Sequence, residues 1–459
     1  MSAITADADL RHDTAFIGHP RGLAWLSASE LWERFSYYGM QALLVLYLTK
    51  QLLLPGHVEH VLGFGGFRGA IEGIYGPQTS LALASLIFGF YAGFVYVTPI
   101  VGGIFADRFL GRTRAIVLGA SLMVAGHFLM AFEAAFLVAI ACLLLGIGLF
   151  KGNIATQVGE LYAADDPRRA DGFQIYFFGI QLAVIISPLI CGTLGETVGW
   201  HWGFGAAGVG MLIGLAVYLA GRRWLPAERP ARSRAEKAAQ PKLTRAEWRT
   251  VLILAALIPV MAVGSIGNQQ LFNSYLTWGE ANLQHEFFGH TMPITWLLSL
   301  DSIVSAILIA LSVAFWRWWA TRWTEPNEIT KLAIGTAISA VAPLTLAFAA
   351  SLMATTGEKP SLIWAVAFQF LNDLGFSNVF PVGLALFSRA APKSLGGMVI
   401  GIYYLHLFAG NLMVGRLGAL LDKMPATGFW LLHAALIAGA AVVLIVIRGA
   451  AGKALAPTR

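Results

Sequence analysis

Charge is what this chain has least of. Asp, Glu, Lys and Arg make up 12% of its 459 residues against 57% hydrophobic ones, and the mean hydropathy is +0.68. Too little polar surface remains to cover a soluble globule of that size, which places the chain in lipid. Cysteine is nearly absent: Cys142 and Cys191 both fall in apolar runs, exclude a disulfide-built scaffold and read as small buried hydrophobes. The histidines are scattered, with no His-x-x-x-His and no paired acidic motif, so no metal and no cofactor beyond protons is expected. A membrane enzyme would need such a cluster, or a nucleophile with its base, at membrane depth. Residues 1–20 lack an apolar core and carry Asp7, Asp9, Arg11, His12 and Asp13, so no cleavable signal peptide is expected.

What is abundant is long apolar runs. A span needs about 20 predominantly apolar residues, and the sequence offers twelve candidates: 23–50, 78–104, 114–132, 134–158, 170–195, 202–221, 250–279, 291–316, 328–352, 361–388, 396–420 and 428–447. The polar stretch 222–248 divides them into an N-terminal bundle over 23–221 and a C-terminal bundle over 249–447, flanked by a terminus over 1–22 and a tail over 448–459. Two such bundles fit a pair that rocks about a site at the midplane. Lys and Arg crowd alternate loops (Arg108, Arg112 and Arg114; Arg168 and Arg169; Arg222 to Arg249; Arg317 and Arg322; Arg389 and Lys393; Arg448 and Lys453), while the opposite loops hold few. By the positive-inside rule both termini are cytoplasmic in a multi-pass inner or plasma membrane protein. The net charge of +6 is thereby accounted for without a nucleic-acid partner.

The exception to apolarity is the most telling segment. Glu30, Glu33 and Arg34 stand inside the first span, where each ionisable group costs about 2.5–3.5 kcal/mol and therefore marks an interior or aqueous path. Their i, i+3, i+4 spacing puts them on one face, continued by Tyr37, Tyr38 and Gln41. Four further motifs accompany them. Gly102-Gly103-Ile104-Phe105-Ala106-Asp107-Arg108 and its continuation to Arg112 form a loop whose glycines allow close helix approach and whose Asp107 can accept from helix N-termini or basic groups. Gly146-Ile147-Gly148-Leu149-Phe150-Lys151-Gly152-Asn153 supplies a cation late in span 4; the plain alternative is a lysine that snorkels to water. Span 5 runs Phe173 to Gln181 and ends in Ser187-Pro188, and span 10 carries Asn372, Asp373, Ser377 and Asn378 before Pro381-Val382-Gly383. Kinks at Pro99, Pro188, Pro259, Pro343 and Pro381 are the plain reading of the prolines.

Together these residues resemble the proton-dependent oligopeptide transporter family of the major facilitator superfamily. Glu30-x-x-Glu33-Arg34-Phe35-x-Tyr37-Tyr38-Gly39 matches its first-helix signature throughout, and the Gly103-to-Gly111 loop and Gly148-Leu149-Phe150-Lys151-x-Asn153 fit its next two. The resemblance implies the twelve-helix facilitator fold, without the helix pair that many bacterial members insert between the halves, and uptake of di- and tripeptides with protons by a monomer. It implies proton coupling by Glu30 and Glu33 with Arg34 and Lys151, attraction of the substrate carboxylate by Arg34 and Lys151, and a pocket lined by Tyr37, Tyr38 and Tyr96.

The second half departs from the pattern at pocket positions. Gly375-Phe376 stands where the family has Gly-Glu, so the acid that grips a peptide's amino terminus is missing. Asn268-Gln269-Gln270 replaces an expected acid, Gln181 an asparagine, Gln41 a second arginine, and Asp301-Ser302 the pair Asn-Pro. A non-peptide solute such as a modified amino acid, an amine-bearing metabolite or a drug is thus the second reading, with Asp301 and Asp373 as candidates for amine recognition or a second protonation. Glu30 and Glu33 against Arg34 and Lys151 sum to zero charge. Protonating one glutamate leaves a positive site that draws a carboxylate into a low dielectric; the alternative is a static ion network that locks two helices.

Overall fold

A computed structural model describes residues 13–163, 166–226, 243–287, 289–392 and 395–455. Of the joining segment 222–248, residues 227–242 lie outside the described residues, as do 1–12, Lys393 and 456–459.

The chain is almost wholly helical. In order it forms α1 (Arg21–Tyr47), α2 (Phe64–Tyr75), α3 (Ser80–Phe105), α4 (Arg112–Leu129), α5 (Phe136–Glu160), α6 (Arg168–Ser187), α7 (Trp200–Gly221), α8 (Arg245–Gly264), α9 (Ile266–Gln269), α10 (Ser274–Asn282), α11 (Trp296–Ala320), α12 (Glu328–Thr356), α13 (Ile363–Ala390), α14 (Gly396–Gly418) and α15 (Ala426–Ala454). Among the described residues, ten helical segments are long and apolar enough to cross a membrane. The sequence-based segments at α1 and α4 are not among them: α1 carries Arg21, Glu30, Glu33 and Arg34, and α4 is short and starts with Arg112 and Arg114.

Pro99, Pro259, Pro343 and Pro381 lie inside helices, each deleting one backbone donor from the ladder. Pro188 heads a wider π-helical turn, Pro188–Gly192, so span 5 is prolonged beyond the expected residue 195 to Val198.

Three local features differ from the expectation. The segment expected as one span over 250–279 is broken into α8, α9, a 3₁₀ turn at Gln270–Phe272 and α10, because Asn273 at φ −124°, ψ −104° leaves helical geometry. The loop before α11 holds an antiparallel pair of two-residue strands, β1 (Glu286–Phe287) and β2 (His290–Thr291), whose turn uses Gly289 at φ +77°, so α11 starts at Trp296 rather than 291. An additional helix, α2, sits between the first two expected spans, anchored by buried Phe64 and Ile71.

The chain packs as two compact units. The first comprises Met1–Gly76 with Val97–Ser233, the second Pro77–Tyr96 with Arg234–Arg459, so α3 passes from one to the other at Tyr96–Val97. In the first unit α1 is buried around nearly its whole circumference. Ser29 donates to the Gly214 carbonyl at 2.7 Å and Ser36 to that of Ala207, tying α1 to α7. Gly39 permits the approach of α1 to Cys191: a Cβ there would come within 2.5 Å of its Sγ. Cys191 is a buried free thiol and Cys142 a half-buried one, the packing role expected of them. The second unit's core gathers Leu254, Leu257, Met261, Leu332, Val379 and Phe387 around Tyr403. Here the first part of α3 lies against α14 almost backbone to backbone, a Cβ on Gly89 falling 2.7 Å from both the Asn411 carbonyl oxygen and the Gly415 Cα.

Candidate functional site

The polar face of α1 closes on itself. Arg34 Nε donates to Glu30 Oε1 at 2.7 Å and pairs with Glu33 Oε2 at 2.9 Å, with Glu30, Glu33 and Arg34 only 2%, 0% and 4% exposed. The i, i+4 step from Glu30 to Arg34 favours the first contact on a helix, and the same Nε lies between the two carboxylates. The Glu33 contact is an ion pair without hydrogen-bond alignment, so that carboxylate is held by charge.

Lys151, half-buried on α5, interacts electrostatically with Glu30, Glu33 and Arg34. Its position depends on two glycines. A Cβ on Gly102 of α3 would fall 2.1 Å from the Gly148 carbonyl oxygen, and one on Gly148 would fall 2.8 Å from the Thr98 carbonyl oxygen. The close helix approach read from the glycines is therefore real at Gly102 and Gly148, one helical turn before Lys151, whereas a Cβ on Gly103 would meet nothing within 4 Å. Asp107 is exposed and reaches only Arg112, at 3.7 Å, in its own loop; Arg112 pairs more tightly with Glu160.

The aromatic continuation of the stripe is ordered by the cation. The Arg34 guanidinium carbon lies 5.7 Å from the centre of the buried Tyr37 ring, and half-buried Tyr38 meets Tyr37 edge-on at 4.9 Å. Gln41 is buried and its Oε1 accepts no hydrogen bond from the described residues. Gln181 lies on the exposed face of α6, opposite the buried stripe of Tyr176, Gly179 and Ala183, and shares that face with Gln174. One residue of this site was not singled out from the sequence: Tyr176, whose hydroxyl interacts with Glu30. The sequence placed it in the span-5 motif but gave no signal that it, among the motif's aromatics, would face Glu30.

The remaining candidates belong to the second unit. Tyr96 stacks on Tyr404 at 6.2 Å. Gln269 accepts from Asn411 Nδ2 at 2.9 Å and donates to Asn268 at 3.1 Å. Asn378 Oδ1 accepts from Ser312 at 3.0 Å and from Trp316 Nε1 at 2.6 Å, while its amide donates to Leu374, so its hydrogen bonds go to packing α13 against α11. Asp301 on α11 and Asp373 on α13 are buried and brought into mutual hydrogen-bonding reach, with Tyr275 of α10 against both. Phe376 stacks on Phe380 at 5.3 Å.

A cavity of about 360 Å³, lined by Tyr47, Gln51, Glu133, Trp200 and His201 among others, opens in the first unit. Tyr47 is 13 residues along α1 from Arg34, about 20 Å, so this space is not the charged cluster.

The POT family profile matches residues 113–258 and 233–431, which together cover more than half of the chain. A peptide transporter of Yersinia enterocolitica subsp. palearctica is 29% identical, with 94% of each chain covered. A di-/tripeptide transporter of Lactococcus lactis subsp. cremoris is 28% identical over 86% of this chain and 88% of its own. The crystal structure of a peptide transporter POT in complex with sulfate aligns with a TM-score of 0.84 at 25% identity over 99% of both chains. The long apolar helices, the signature placed on α1 and these matches agree, and the chain belongs to the POT family of integral membrane transporters.

Proposed function

We propose that this protein is a proton-coupled symporter that imports small peptides, di- and tripeptides, by alternating access between two six-helix bundles, with twelve spans and both termini in the cytoplasm. The observation that carries the reading is the buried Glu30–Arg34–Glu33 cluster with Lys151 beside it, two acids against two bases. Neutral when closed, it becomes a net cation when one glutamate takes a proton, and a peptide carboxylate is the anion that restores balance. The peptide-transporting relatives support the same cargo. Tyr37, Tyr38, Gln41, Tyr96, Gln181, Gln269 and Asn378 are the remaining substrate-site candidates.

A second reading, proton-coupled transport of a non-peptide solute bearing an amine, is favoured by one observation. Phe376, at the position where the family carries its amine-binding glutamate, is stacked on Phe380 and offers an amine no charge. Asp301 and Asp373 are the acids left to receive one.

Uptake into liposomes decides between them. With an inward pH gradient, labelled dipeptide should accumulate inside and free amines should not compete; accumulation of an amine-bearing solute with no response to peptides selects the second reading. Lys151→Ala should weaken binding of carboxylate-bearing ligands about ten- to a hundredfold, the value of a hydrogen bond to a charged group. A thermal-shift titration reads this directly, because a ligand that binds only the folded state raises apparent stability. Unchanged affinity removes Lys151 from the substrate site.

A further inference from the structure

Asp301 and Asp373 have no base beside them among the described residues. Asp301 is 9% exposed and Asp373 0%. Asp301 Oδ1 and both oxygens of Asp373 are buried and accept no hydrogen bond from a described donor. Buried carboxylate oxygens are ordinarily satisfied by donors or by a counter-ion. The second unit's ion pairs among the described residues, Lys331–Glu325 and Arg389–Glu328, do not reach them: Arg389 is 16 residues from Asp373 on the same helix, about 24 Å. The two carboxyls are instead within hydrogen-bonding reach of each other, with the neutral side-chain amide of Asn372 beside Asp373.

The groups around them are neutral. Tyr275 of α10 is the titratable side chain against both acids, and its hydroxyl has a long contact, 3.5 Å, to the Ala365 carbonyl. On the acids' own helices, Ser302 donates to Leu298 at 2.8 Å and Gln369 to Leu297 at 2.7 Å. From α12, Ser339 donates to the Asn372 carbonyl at 3.4 Å; from α9, Gly267 faces the Asn372 amide oxygen. On α14, His406 is bonded to its own Tyr403 carbonyl.

Two ionised carboxylates in contact in such surroundings repel strongly, whereas a single proton between them turns one into a donor and the other into its acceptor. We infer that Asp301 and Asp373 share one proton and form a second proton-binding site of this transporter, separate from the acids of α1. Asp301, the more exposed member, is the outlet through which the proton exchanges, and Asp373 is the enclosed acceptor. The pair retains one negative charge, so it remains a counter-ion for an amine. The inference rests on the symport reading only for its consequence, an additional proton moved per cycle.

Infrared spectroscopy of the purified full-length protein tests the site without requiring transport. The wild type should show a carboxylic-acid carbonyl band at neutral pH that disappears at alkaline pH and is missing from D301N/D373N at every pH. D301N alone should retain a band shifted by the new amide partner, which keeps the test open if the double variant fails to fold. In liposomes, reversal of substrate flux against imposed pH gradients should give one proton more per substrate for the wild type than for the double variant. A wild-type spectrum with no such band, or a band that ignores pH together with equal stoichiometries, overturns the inference. Failure of the wild type to accumulate any solute would instead overturn the symport reading, with the spectroscopic result left standing.

Discussion

Glu33→Gln should cut accumulation driven by a proton gradient by about tenfold per pH unit while leaving exchange of internal for external substrate intact. The substitution keeps the shape of a side chain that is 0% exposed and removes its charge, so Arg34 and Lys151 face Glu30 alone and the cluster is fixed in the state that a bound proton would create. The substrate's carboxylate still finds its cation, but the proton of α1 no longer arrives or leaves with it. The effect is large because each coupled proton is worth about tenfold accumulation per pH unit, at about 1.4 kcal/mol per tenfold. With a one-unit gradient the inside-to-outside ratio of labelled substrate should be about tenfold lower in the variant than in the wild type. Retention of the wild-type gradient in Glu33→Gln would make the cluster a helix lock and move coupling elsewhere.

The second large effect is structural. Gly102→Val places a branched side chain where even a Cβ would lie 2.1 Å from the Gly148 carbonyl oxygen and 2.3 Å from its carbon. Both obstacles are backbone, which cannot rotate away, so α3 and α5 must part. Overpacking of this kind costs about 1–3 kcal/mol or more, and the displaced turn is the one that carries Lys151. Thermal unfolding should therefore fall by several degrees and carboxylate-ligand binding should be lost with it. Gly103→Ala is the matched control: with nothing within 4 Å of its Cβ it should be neutral or slightly stabilising. Equal stability of the two variants would show that the close approach does not hold the site.

Much of the first unit was legible because its sequence breaks the rule of its surroundings. Three charges in an apolar run, glycines before a lysine and an aromatic stripe each demand a partner, and the structure supplies Arg34 for the glutamates, Thr98 and Gly102 for Gly148, and Arg34 for Tyr37. The second unit was harder to read. Asn378 and Gln269 look like pocket residues in sequence, yet their bonds to Trp316, Ser312 and Asn411 come from helices distant along the chain. The division of the seventh span at Asn273 left no proline or glycine at the break itself, and α2, rich in glycine, runs against helix propensity. Tyr176 was hidden for the opposite reason: among several aromatics, only the turn of α6 decides which one meets Glu30.

The passage of α3 from one compact unit to the other makes the stiffness of its backbone uneven along its length. The chain changes unit at Gly76–Pro77, Tyr96–Val97 and Ser233–Arg234; the second of these lies within α3, and two residues later Pro99 has already removed the hydrogen bond that would run back to Val95. The ladder lacks a bond next to the change of unit, whereas the Gly89–Gly415 seam holds the earlier part of the same helix in close backbone packing. α3 is thus a rod clamped at one end by glycine packing and most readily bent at the other, beside the point where the chain changes unit.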